Sequence, residues 1–197
     1  MISLMQSSPK PDVDSQIAIA DTVRWLERAV IGLNLCPFAK AVHQKGQIHF
    51  AVSAAETPEE LLQDLILELK VLNALVQRSR DTTLLIAPHC LADFLDFNDF
   101  LAETDHVLLD LGLDGTIQIA SFHPDYQFGG TEPHDIGNAT NRSPYPTLHL
   151  LREASIERAV TAFPQAEAIY EANIETLERL GPEGWAALGV GPSGGKQ

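Results

Sequence analysis

The sequence predicts an α+β protein, a small sheet of about three strands covered by helices in the order α-β-α-β-α-β-loop-α-α. Three observations carry this. Three short segments show the alternation or the continuous apolar run of strands. Long segments of helical period separate them. No internal repeat or break in composition divides the 197 residues, so one domain spanning residues 14–188 is expected.

Residues 1–13, with their Ser and Pro, read as a disordered leader without the apolar core of a secretory signal. From Ser15 the period is helical: Ile19, Val23, Leu26, Val30 and Leu33 fall at steps of three and four, with Asp14 or Ser15 as cap. Gly32 and Asn34 weaken the end of this helix, and Pro37 starts something new. Residues 47–53 alternate, with Ile48, Phe50 and Val52 on one face, as a half-buried strand does. Thr57 followed by Pro58, Glu59 and Glu60 is a helix start, because a capping hydroxyl, a proline with fixed φ and two acids near the positive dipole end coincide there. Leu61, Leu65, Leu69, Leu72 and Val76 continue the helical step to about Arg80.

Residues 83–87 form an apolar run closed by Pro88, the pattern of a central strand. Phe94, Phe97, Leu101 and Leu108 support a helix over about 91–111. After a turn at Asp114 and Gly115, residues 116–122 form the third strand. The stretch 123–146 has no clear period, and its length is beyond that of ordinary connections, which marks it as a functional loop. Helices resume near Thr147, read as a helix cap, and again after Pro164. Residues 189–197 are Gly- and Ser-rich and read as a flexible tail.

Charge and cysteine content narrow the functional classes. Thirteen basic against 27 acidic residues give a net charge of -14, which repels nucleic-acid backbones and anionic membranes. No apolar run approaches the roughly 18 residues of a membrane span. Two cysteines, Cys36 and Cys90, make no disulfide framework and no paired zinc signature, which fits a reducing cytoplasm. No phosphate loop, dinucleotide fingerprint or nucleophile elbow occurs, and nothing names a cofactor.

The residues able to carry chemistry concentrate in 121–153, with Cys36 as an outlier. His123 and Asp125 follow the end of the third strand, where α/β sheets commonly bind ligands, and could serve as acid–base partners; equally, both could hydrogen-bond the loop backbone. His149 is expected on a helix face with Glu153. Asn141, Arg142 and Arg152 are the candidate binding groups, since guanidinium forks grip carboxylate or phosphate; Arg152 could instead tie the loop to an acid. A metal site from His123, Asp125, His134 and His149 is an alternative, without the tight spacing of a zinc motif.

If Pro37 opens a helix, the amides of Phe38 and Ala39 point at the Cys36 sulfur and favour thiolate. Burial among Leu33, Leu35 and Phe38 opposes this, so exposure decides between a reactive and an inert thiol. The tetrapeptide Cys36-Pro37-Phe38-Ala39 resembles the active-site turn of omega-class glutathione transferases and, less closely, of glutaredoxins. A helix rather than a strand precedes it here, so no glutathione chemistry is carried over. The expectation is an enzyme acting on a small anionic metabolite, with a ligand- or partner-binding protein and a metal-binding protein as the other readings.

Four longer runs have a wider likeness: 22–27, Thr-Val-Arg-Trp-Leu-Glu; 33–39, Leu-Asn-Leu-Cys-Pro-Phe-Ala; 121–128, Ser-Phe-His-Pro-Asp-Tyr-Gln-Phe; and 141–153, Asn-Arg-Ser-Pro-Tyr-Pro-Thr-Leu-His-Leu-Leu-Arg-Glu. Through them the chain resembles an uncharacterised proteobacterial family known as a domain of unknown function. The resemblance covers about 16–185 and implies a single-domain protein without implying catalytic residues.

Overall fold

The computed structural model describes residues 13–76, 79–162 and 169–193. Most of the predicted leader, the break at Pro164 and the last four residues of the predicted tail lie outside them. The chain is α+β, with one small sheet and helices on both of its faces. It opens with helix α1 (Val13–Trp25), which runs into a six-residue π-helical turn (Leu26–Ile31) and then, past Asn34, into the short helix α2 (Ala39–Gln44). Strand β1 (Ile48–Val52), helix α3 (Pro58–Ala74), strand β2 (Thr82–Ile86), helix α4 (Phe94–Asp110) and strand β3 (Ile117–Phe122) follow. The long loop holds a 3₁₀ turn (Ile136–Asn141) and leads to strand β4 (Thr147–Arg152), helix α5 (Glu153–Ala162) and helix α6 (Ile169–Ala187).

The start of α3 is built as its sequence requires: the Thr57 hydroxyl accepts from the Glu60 amide and Pro58 occupies the first turn. Asp93 caps α4 in the same way, accepting from the amides of Leu95 and Asp96. The end of the first helix is less regular. Gly32 packs so close to the π turn that a Cβ there would lie 2.3 Å from the Arg28 carbonyl oxygen, and Asn34 (φ 56°) then turns the chain out of the helix. Helix α6 is broken at Gly181 (φ 69°, ψ 171°), just before Pro182.

Among the described residues the sheet has four strands, not three, in the order β1-β2-β4-β3. β1 and β2 are parallel, joined through α3; β4 lies antiparallel between β2 and β3. The additional strand is the segment 147–152, expected to open a helix. Its side chains alternate in direction: Leu148 and Leu150 are fully buried on one side, and Thr147, His149 and Leu151 point to the other. Helix α5 starts at Glu153 without an intervening turn residue, so nothing in the sequence marks the junction.

Alternation along all four strands sorts the side chains into two layers. Ala51, Leu85, Leu148, Leu150, Ile117 and Ile119 face α3 and α4 and pack on Leu61, Leu65, Leu69, Leu72, Phe97 and Phe100. Ile48, Phe50 and Phe122 face the opposite way, toward Trp25, Leu26, Ala29 and Val30. The stripe that α1 buries runs through Ala18, Asp21, Thr22 and Trp25, one residue out of step with the predicted Ile19–Val23 stripe. A third cluster joins Leu35 to Ala139 of the loop and Leu177 of α6.

The segment 189–193, expected to be part of a flexible tail, is held against α1. Arg24 donates to the carbonyls of Gly189 and Gly191, Arg28 to that of Leu188, and the buried Asp21 carboxylate accepts from the Ser193 amide and hydroxyl. The Tyr145 hydroxyl donates to the same carboxylate at 2.8 Å, and Arg24 pairs with it at 2.7 Å.

Candidate functional site

His149 occupies the middle of the central strand β4. It lies in register with Leu84 of β2 and Ala120 of β3, and Leu84 in turn pairs with Phe50 of β1. The row Phe50, Leu84, His149 and Ala120 therefore crosses the sheet on the α1 side. Above it, between the sheet, α1, the π turn, α2 and α5, lies a cavity of about 600 Å³, within the ~300–1,000 Å³ usual for small-molecule sites. Its wall is mostly apolar: Trp25, Leu26, Val30, Phe38, Val42, Ile48, Phe122 and Ile156 among others. Trp25 meets Phe122 edge-on at 5.2 Å, and Phe122 meets the His149 ring at 6.1 Å. One end, where Thr82 and Gln118 both pair with Leu151, is more polar; there the Ser155 hydroxyl donates to the Asp81 carboxylate at 2.6 Å.

The His149 Nε2 is sequestered from solvent and has no hydrogen-bond partner. Burial pushes the imidazole pKa down to about 4, so the ring is neutral at physiological pH. Leaving such a group unpaired costs on the order of 1–3 kcal/mol, and the surrounding sheet holds it there regardless.

Cys36 lines the same cavity. The Leu35 amide donates to the Val30 carbonyl at 2.9 Å, which fixes the chain leaving the π turn. Helix α2 begins at Ala39 rather than at Pro37, but the amides of Phe38 and Ala39 are nonetheless directed at the Cys36 sulfur, as the sequence suggests. Burial outweighs them and raises the thiol pKa above its ordinary value. The resting Cys36 is thus a protonated thiol, and Cys90, buried in the other layer, is likewise raised, chiefly by burial.

The remaining predicted site residues are not brought to this cavity. His123 lies in the other layer, fully buried, between the rings of Phe94 and Phe97 at 5.4 and 5.1 Å. Its Nε2 donates to the Leu91 carbonyl at 3.1 Å and its Nδ1 accepts from the Asp125 amide at 3.0 Å, so both ring nitrogens are occupied. That pairing requires the neutral Nε2–H tautomer. Burial lowers the pKa of this ring, with the Leu91 carbonyl pulling the other way. Leu91 has φ 56°, a conformation rare for a branched side chain, and the buried imidazole holds its carbonyl in place. Asp125 is exposed and meets His123 through its amide.

Asn141 donates to the Ser121 carbonyl, and Arg142 to the carbonyls of Tyr126 and Pro133. Arg152 borders the cavity, but its guanidinium donates to the carbonyls of Leu72, Leu75 and Arg80, closing the C-terminal end of α3. The three predicted anion-binding groups are therefore committed to backbone carbonyls. The expected metal ligands do not assemble either: His134 is exposed, His123 and His149 face opposite layers, and no group of three or more His, Cys, Asp or Glu side chains fit to hold a metal occurs among the described residues.

What the sequence reading passed over is the apolar wall, Trp25 and Phe122 above all, and the polar residues that shape the loop. Asn138 is one of these. Wholly buried, it accepts from the Phe128 amide and the Thr131 hydroxyl and donates to the Glu132 carbonyl. The two-residue alternation of 147–151 was the signal that could have put His149 on a sheet face.

No helix among the described residues is long and apolar enough to cross a membrane. Searches of curated proteins and of solved structures give no match. A family model described as "Protein of unknown function (DUF1415)" matches residues 17–187, which span the four described strands and the cavity with its residues Cys36 and His149, and the chain belongs to that family.

Proposed function

We propose that this chain binds a small organic molecule in the cavity between the sheet and α1, with His149 as the polar group the molecule meets. One observation carries the reading: a neutral, unpartnered imidazole nitrogen stands on the floor of an otherwise largely apolar chamber of ligand size. A core histidine with no role would be expected to have a partner, as His123 has on the other side of the same sheet. The unpaired cysteines and the acidic surface are consistent with a cytoplasmic setting.

An enzymatic reading would use the same cavity, because Cys36 and His149 both line it. Their resting states favour binding over nucleophilic catalysis: the thiol is protonated and the imidazole neutral, whereas an activated pair would be thiolate and imidazolium.

A thermal-shift screen of small organic molecules tests the reading. Ala120→Phe would place a ring beside His149 and fill the chamber. Ligands at a hundredfold excess over Kd should stabilise the wild type by about 2.7 kcal/mol and leave the filled variant unmoved. Protection of Cys36 from a thiol reagent by the same compounds checks occupancy without the variant. Compounds that shift both proteins equally, or leave Cys36 unprotected, would refute the assignment.

A further inference from the structure

The cavity's chemistry also limits what it can hold. Among the described residues, no side chain on its wall offers a free positive charge: the Arg152 guanidinium is spent on three carbonyls of the opposite layer, and His149 is neutral. Asp81 puts a carboxylate at the polar end, already accepting from Ser155. An anion entering here would lose its hydration without a counter-charge, in a protein of net charge -14. A cation would have one carboxylate on the described wall, Asp81, which lies at the polar end and already accepts from Ser155. An uncharged molecule meets neither penalty.

The unpaired His149 ring, set among the apolar part of the wall, fixes the rest. A neutral imidazole presents at each ring nitrogen either an N–H or a lone pair, according to tautomer. A carbonyl could satisfy only the first. A hydroxyl, as donor and acceptor, satisfies both. Resting on the small-molecule reading above, we propose that the site selects an uncharged, largely apolar molecule carrying a hydroxyl group, which pairs with the imidazole ring of His149 while its carbon skeleton fills the chamber under Trp25 and Phe122. This replaces the small anionic metabolite expected from the arginines.

Equilibrium dialysis of the full chain against naphthol, naphthalene and naphthoate separates the possibilities, three probes of one skeleton that differ in the polar group. Naphthol should bind about tenfold more tightly than naphthalene, the worth of one hydrogen bond to a buried partner, and naphthoate more weakly than either. His149→Phe should abolish the preference for naphthol, and His149→Gln should keep part of it. Nitrogen NMR of the histidine rings should show a shift of the His149 signal with naphthol and a smaller one with naphthalene. Should naphthoate bind best, the uncharged class is wrong and the cavity assignment survives. Equal binding of naphthol and naphthalene removes His149 from recognition. If none of the three binds and the broader screen is also silent, the cavity assignment falls with it. The comparison of probes on the wild type stands even if a variant fails to fold.

Discussion

Replacing His149 by leucine should make the protein more stable, and increasingly so as the pH falls. Two effects of burial add. Near neutral pH the substitution removes an unpaired Nε2 from the floor of an apolar chamber, an omission that costs the wild type about 1–3 kcal/mol. Below neutral pH a linkage effect joins it. The folded-state pKa of His149 is about 4, against about 6.5 in an unfolded chain. Between these values the unfolded chain binds the proton and the folded one does not, so wild-type stability is fully present above about pH 6.5 and declines toward pH 4. At pH 5 the loss from this one group is about 2 kcal/mol. Every other titrating group is shared with the variant and cancels in the difference. Urea unfolding of both proteins at about pH 7.5 and pH 5 measures it: the variant should lead at the higher pH and extend its lead by about 2 kcal/mol at the lower. A gap that does not change with pH would mean that the folded protein protonates His149 normally, and the ring would then not be buried as described.

Arg152→Ala should lower stability by about 2–4 kcal/mol, because the carbonyls at the end of α3 lose a charged donor; a thermal midpoint within a degree of wild type would refute the anchoring role. Asp21→Asn should loosen 189–193, read as faster hydrogen exchange at the Ser193 amide, which the carboxylate now holds at 2.7 Å. Burial alone would raise the Asp21 pKa, but hydrogen bonds from Ser193, Tyr145 and Arg24 hold it below the usual carboxylate range. Its contribution is thus present above about pH 3.9, the unfolded value, and is lost only as pH falls through the lower folded value. A wild-type tail released already at about pH 5 would contradict this.

Much of the architecture could be read along the chain because it is written in local physics. The cap at Thr57, the proline behind it and the leucine steps after it specify α3 whatever surrounds them. The apolar run before Pro88 specifies a strand that must be covered on both faces. The direction of the Phe38 and Ala39 amides toward Cys36 is likewise a property of a short turn. The strand status of 147–152 is not local. Its alternation is too short to exclude a helix, and it is a strand because it pairs antiparallel with β2 on one side and β3 on the other. That pairing turns His149 toward α1, while the fold buries His123 against Phe97 on the far side. Burial could not be read from the sequence either. It sets Cys36 above its ordinary pKa despite the two amides, while the tertiary fold brings backbone carbonyls to Arg142 and Arg152. Composition and period determined which residues could act. Which of them share a cavity, and in what protonation state, was decided by long-range packing, because desolvation and strand register depend on partners distant along the chain.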